Sequence, residues 1–578
     1  MNELPKPDAN IEGKPPAREW VTAALVSCGV ALAVVTPFFF LGTASGHDIA
    51  FHMASWLDAA GQWKQGILFP RWAEWPNYGF GEPRFIFYPP LSWLLGAFLG
   101  TLIPWNSVAA VFIVCVQTFA GLSAYALLRW RYGGSRWAKL FGAACFAANP
   151  YALVIVYARS DFAELLAVAA FPLLFLTALR LCESTKPGEP WRLPYLLAFA
   201  LTFCAVWLSN APAAVIATYS VAFLFAFKSL QVRSVRPALQ GASAMLLGFG
   251  LAGFYLIPAI YEQRWVNIAG ALAGGLTPTD NFLYARTTDA EHDAFNRVAS
   301  NIAVLLFLWA AAAALAAWRR VRQTAAPPGT RNDSVPLAAL TAIAMLLMLP
   351  VTALLWRFLP ELRFVQFPWR WMSVVALCAI VFMSETAQGK LKWVWLPVAA
   401  LCITGSGRYL VRHTWWDTED MPTLQEALED GTGFEGTDEY DPAGDDHTDL
   451  PQKAPRADFL PSAQESDTPV GQKIIINRWT AEHRSLGVTT AAGGQVAVKL
   501  LDYPAWHIEV NGHQVAAQHA EGTQQMVIPV ASGESKIEIQ FKRTMDRTLG
   551  GWISVLSALG AISTVSWRRR ARNPTKGA

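Results

Sequence analysis

The sequence predicts a polytopic α-helical membrane protein of about twelve spans, with a C-terminal extracytoplasmic β-sandwich and a final anchoring helix. Three observations predict it. Of 578 residues, 53% are hydrophobic and only 15% charged, whereas soluble domains carry roughly a quarter charged residues. Apolar runs of membrane-spanning length recur along the chain between short basic clusters. After residue 470 the pattern changes to short alternating strands.

The spans are expected near 20–42, 107–128, 139–157, 163–182, 194–208, 211–228, 238–259, 298–318, 336–356, 369–387, 393–411 and 548–567. The first follows a polar tail, 1–19, and reads as a retained anchor rather than a cleaved leader. The apolar segment 85–104 is left out. If it crossed, Arg129, Arg131, Arg136 and Lys139 would fall outside. If it dips or lies flat, they join Lys6, Lys14, Arg18, Lys186, Arg192 and Arg568 to Arg570 on the inner side. Pro89 and Pro90 at its start interrupt helical hydrogen bonding and favour a segment that does not cross. Both termini are then cytoplasmic, and the outward surfaces include 43–106, 158–162, 260–297, 357–368 and 412–546.

Residues 412–472 read as an acidic flexible linker, with thirteen Asp or Glu and no Lys or Arg between Asp417 and Asp449. Residues 473–546 read as the β-sandwich, in which Asn511-Gly512 between two alternating runs signals a tight hairpin. Residues 547–578 hold the last helix and a basic tail. The seven cysteines all lie in apolar runs, so neither a disulfide framework nor a thiolate metal site is on offer.

Ionisable residues inside the spans are scarce, which argues against an ion-coupled pump. Polar groups gather instead in the outer loops. In the first, within 43–106, the spacing of Ile49, Met53, Trp56, Leu57, Ala60 and Trp63 predicts an amphipathic interfacial helix over 48–64, with Asp48, His52, Ser55 and Gln62 on its other side. Asp48 there is either a helix cap or a reactive carboxylate. Further along, Arg71, Arg84 and Tyr88 sit among aromatics that anchor at the interface, and arginine at headgroup depth suits a lipid phosphate or simple snorkelling. Arg159, Asp161 and Glu164 form a second cluster, and Gln366 and Arg370 a third. The nine histidines give no metal spacing; His47, Asp48 and His52 do not share one helix face. No basic groove for nucleic acid is present.

The order of these parts, a first span followed at once by Asp48, then a juxtamembrane helix, a Tyr-Pro-Pro-Leu segment and a second acidic loop, resembles the GT-C superfamily of membrane glycosyltransferases. GHDIAFH, FYPPL, YARSDFAE, QFPWRW and YPAWHIEVNG look like the YfhO-like membrane proteins and the related 6-pyruvoyl-tetrahydropterin synthase related membrane proteins of bacteria. The resemblance implies transfer of a sugar from a polyprenyl-phosphate donor to a cell-envelope glycan, lipid or protein acceptor, at the outer face of the cytoplasmic membrane. It places Asp48 as the base, with His47, His52, Arg71, Arg84, Tyr88, Arg159, Asp161, Glu164, Gln366 and Arg370 as substrate-binding candidates. Because His47-Asp48 replaces the paired acids common in that superfamily, use of a divalent cation, Mg or Mn, stays open.

The chemistry is consistent with the residues. One carboxylate takes the proton of an attacking hydroxyl, and a cation near the departing lipid phosphate stabilises its charge, here Arg84, Arg159 or Arg370. A single displacement inverts the anomeric carbon. The alternative is a non-catalytic protein that binds or translocates a lipid-linked glycan.

Overall fold

The computed structural model describes residues 17–132, 135–183, 191–323, 328–444, 450–460, 472–520 and 522–572. Lys6, Lys14, Lys186, 445–449 and 461–471 of the expected linker, and the end of the basic tail lie outside the described residues. The chain divides into two compact units: 1–49, 109–249 and 274–417 form the first, and 50–108, 250–273 and 418–578 the second.

The first unit is a helical bundle. Some of its helices start at side-chain caps: Asn149 Oδ1 accepts from Tyr151 N and Ala152 N ahead of Pro150, and Asn210 Oδ1 accepts from Ala213 N ahead of Pro212. At its centre Met372–Thr386 is buried on every face and packs against Ala290–Gln323, as a helix whose middle, 374–383, is apolar all round must.

Among the described residues seven helices are long and apolar enough to cross a membrane, or up to nine if each of two bent pairs is one span, fewer than the twelve apolar runs predicted. Leu193–Trp207 and Met372–Thr386 have 15 residues each, about 22 Å of helix against a 30 Å hydrocarbon core. The run 336–356 is interrupted before Pro350, which has no N–H for the ladder. An apolar run alone does not separate a crossing helix from one buried within the protein. Pro90–Leu102, in the segment left out of the predicted spans, has 13 residues.

In the second unit two antiparallel sheets share one apolar core. The four-stranded sheet has the order Ala457–Phe459, Gly494–Leu501, Gln525–Val530, Gln518–His519; the five-stranded one runs Lys473–Thr480, His483–Thr490, Gly533–Phe541, Trp506–Val510, His513–Val515. Asn511 and Gly512, at φ of 54° and 81°, make the hairpin turn, as the type I′ preference requires.

Two expectations are corrected here. Trp72, Phe80 and Phe87, read as interface anchors, lie with Ile86 in the same core as Leu486, Val498, Tyr503, Trp506 and Ile537. The Trp72 ring packs against Trp506 at 5.4 Å and Phe541 at 5.8 Å. The 412–472 stretch is folded wherever it is described: Asp420–Glu429 is a helix that buries Met421 and Leu424, Tyr440 stacks on Phe87 at 5.8 Å, and Asn77 Nδ2 donates to Asp441 Oδ1 at 2.7 Å. A few apolar side chains spaced for one helix face outweigh the acidic composition.

The 48–64 helix is observed as Ile49–Lys64, but its polar residues are not at a solvent face. His52, Ser55, Asp58 and Gln62 are all buried. Asp58 explains why: its carboxylate accepts from Gln62 Nε2 at 2.7 Å and from Glu74 N at 2.7 Å, tying the helix to the chain that follows.

Candidate functional site

The loop carrying Asp48 is fastened at several points inside the first unit. After the helix Ala17–Val35 and the turn to Gly42, Thr43 and Ala44 pair with Asp417 and Trp416. Ser160 Oγ donates to Ala44 O at 2.8 Å and accepts from Gly46 N at 3.1 Å, and Asp48 N donates to Arg159 O at 2.9 Å. A Cβ on Gly46 would stand 2.6 Å from Arg159 C, so this approach requires glycine.

The segment it meets has unusual backbone. Val154–Arg159 is a π-helical turn and Ser160 has φ of +52°, a conformation that a serine adopts at some cost and that often marks functional positions. Asp161 then caps the next helix, its Oδ1 accepting from Glu164 N at 2.8 Å. The cap and the π turn together bring Arg159, Asp161 and Glu164 onto one side.

These groups and Arg370 alternate in charge. Arg159 Nη2 lies 2.5 Å from Asp48 Oδ2 and 3.8 Å from Asp161 Oδ2; Arg370 Nη2 lies 3.3 Å from Asp161 Oδ2, and Arg370 Nε 3.0 Å from Glu164 Oε2. Tyr151 donates its hydroxyl to Glu164. Arg370 Nη1 also donates to Val365 O at 3.0 Å and to Gln366 Oε1 at 3.4 Å. The rings of Phe367 and Trp369 stack at 4.9 Å, and the Arg159 guanidinium lies 4.6 Å from the Phe367 ring, a cation–π contact.

Burial sorts the members. The Asp48 side chain is 29% exposed, against 6% for Arg159, 3% for Asp161, 4% for Arg370 and 1% for Glu164. Asp48 is thus the accessible end of a buried chain of charges. Its Oδ1 has no hydrogen bond among the described residues. Arg159 Nε–H, buried, likewise has no acceptor among them.

Asp48, Arg159, Asp161, Glu164, Gln366 and Arg370 are therefore brought together. His47 is exposed, with its ring 4.4 Å from that of Phe295. The other predicted residues belong to the second unit and have partners there. Arg84 is buried, with Nε 2.6 Å from Glu82 Oε1, Nη1 3.2 Å from Ser55 Oγ and its guanidinium 4.3 Å from the Phe51 ring. A guanidinium satisfied in this way is not presented to a lipid phosphate, and the headgroup placement expected for Arg84 is withdrawn. Arg71 lies over Phe69 at 4.4 Å, and burial pushes it down to about 10. His52 and Tyr88 belong to an aromatic cluster with Phe51.

Tyr151, Gly46 and Ser160 hold the site together and were not singled out from sequence. Gly46 and Ser160 fall inside GHDIAFH and YARSDFAE, whereas nothing in the sequence around Tyr151 points to Glu164. Among the described residues no three His, Cys, Asp or Glu side chains gather as a metal site. The carboxylates of Asp48, Asp161 and Glu164 are met by guanidinium groups, so the donor set does not fit Mg or Mn.

A family model described as 6-pyruvoyl-tetrahydropterin synthase related domain, membrane protein, matches residues 85–415, more than half of the chain. The match takes in Arg159, Asp161, Glu164, Gln366 and Arg370 and begins after His47 and Asp48. No curated protein matches the chain.

Proposed function

Starting from its membership of the 6-pyruvoyl-tetrahydropterin synthase related membrane proteins, we propose that this chain is a glycosyltransferase. In this reading it moves a sugar from a polyprenyl-phosphate donor to a cell-envelope glycan, lipid or protein acceptor at the outer face of the cytoplasmic membrane. The observation that carries the reading is the position of Asp48, accessible at the end of a network whose other members are buried.

In the reaction the acceptor hydroxyl oxygen attacks the anomeric carbon while the bond from that carbon to the phosphate oxygen breaks, and its electron pair leaves with the polyprenyl phosphate. Asp48 Oδ1 takes the hydroxyl proton. Arg159 fixes Asp48 through Oδ2, and its positive charge beside that carboxylate stabilises the leaving phosphate. Arg370 acts through Asp161 and Glu164 as a positioning residue, which replaces its earlier assignment to the phosphate. One displacement inverts the anomeric centre.

The test is Asp48→Asn in membranes supplied with donor lipid. The variant is expected to insert and unfold like the parent protein while sugar transfer is lost. Retained transfer removes Asp48 from the chemistry and leaves glycan binding without catalysis as the reading.

A further inference from the structure

The helix Ala290–Gln323 carries a second polar site. Arg297, Asn301, Val304, Leu308 and Leu315 are all exposed and recur at three-, four- and seven-residue intervals, so they form one stripe along the helix. Val304, Leu308 and Leu315 are 39%, 65% and 45% exposed on a helix apolar enough to cross a membrane, and so they face acyl chains. At the head of the stripe, Arg297 and Asn301 line a cleft of about 340 Å³ together with Tyr284, Ala285, Arg286 and Asp293.

The charges in this cleft are not balanced. Asp293 Oδ1 accepts from Thr287 N at 2.7 Å and from Thr287 Oγ1 at 3.1 Å. Among the described residues neither Arg286 nor Arg297 has a carboxylate partner. The rim is held in place by Tyr284, whose φ is +59°, whose N–H donates to Ser300 Oγ at 2.9 Å and whose hydroxyl donates to Asn301 Oδ1 at 3.0 Å. A strained tyrosine pinned at both ends of its residue fixes the shape of the cleft.

We propose that this cleft binds the phosphate of an anionic bilayer phospholipid, whose acyl chains lie along the Val304 to Leu315 stripe. Two guanidinium groups match the oxygens of a phosphate, and the stripe supplies the apolar contact that a soluble anion lacks. Phe295, which packs on His47, is turned about 200° around the helix from Arg297. The site is therefore separate from the Asp48 network and stands whether or not the glycosyltransferase reading holds.

The test uses the full-length protein in detergent, titrated with phosphatidylglycerol or with phosphatidylcholine of the same acyl chains, and read by native mass spectrometry and thermal unfolding. Phosphatidylglycerol is expected to be retained and to raise Tm, and phosphatidylcholine to do neither. The Arg286→Gln/Arg297→Gln variant is expected to keep the lipid-free Tm and to bind phosphatidylglycerol about tenfold or more weakly. Equal binding of the two lipids, or full retention of phosphatidylglycerol by the variant, overturns the proposal. Stabilisation by inorganic phosphate equal to that by phosphatidylglycerol overturns it in favour of a soluble anion.

Discussion

Arg370 Nε lies 3.0 Å from Glu164 Oε2, and its Nη2 lies 3.3 Å from Asp161 Oδ2, closing contacts across more than 200 residues of chain. All three side chains are almost fully buried. Arg370→Ala leaves buried Glu164 without its cation and Asp161 with Arg159 alone, and is expected to cost about 3–5 kcal/mol. Arg370→Lys offers no planar fork and should fall between the two. Thermal unfolding in detergent measures both, and an unshifted midpoint for Arg370→Ala refutes the role given to this pair.

Gly46→Ala probes the loop rather than the network. Its new Cβ would meet Arg159 C at 2.6 Å and Ala158 O at 2.7 Å, both backbone atoms that do not swing aside. Asp48, two residues on, must then move. A loss of turnover of about a hundredfold is expected for a displacement near 1 Å, with membrane insertion unchanged. Full activity in Gly46→Ala disproves the tight approach.

Asp58 predicts a pH dependence. Burial raises its carboxyl to about 7, from an ordinary value near 4. Between those limits the folded state keeps a proton that the unfolded chain has lost, so the contribution of this group is full below about pH 4 and disappears as pH rises towards 7. Unfolding midpoints of the parent protein should fall over that window relative to those of Asp58→Asn, whose side chain does not titrate. Parallel curves would sink the assignment.

Trp72→Ala tests the shared core. Trp72 is fully buried against Tyr503, Trp506 and Phe541, and truncation of such a side chain costs about 3–5 kcal/mol. Limited proteolysis should cut the sheets of the variant faster than those of the parent, while the helices of the first unit keep their protection. Unchanged cleavage in 473–541 argues against a common core.

The strands and the Asn511-Gly512 hairpin were legible because a period of two and a positive-φ turn are local signals. Asp48, Arg159, Asp161, Glu164 and Arg370 were legible as separate polar clusters in otherwise apolar surroundings. Their alternation was not, since it depends on a π turn at Val154–Arg159 that no spacing rule announces. Tyr151 was hidden because an aromatic residue in an apolar helix looks the same whether or not its hydroxyl has a carboxylate to meet. The fold of 418–444 was masked by acidity, and Trp72 by the habit of tryptophan to sit at membrane interfaces.

The common core of Trp72 and Trp506 also sets an order of events during biosynthesis. Some 430 residues separate the two rings, and at ribosomal rates of 5–20 residues per second the second follows the first by roughly 20 to 90 seconds. Through that interval Trp72, Phe80 and Phe87 have been made but their covering strands have not. A nascent chain that stalls before Leu486 leaves this aromatic surface bare, a target for chaperones and quality-control proteases.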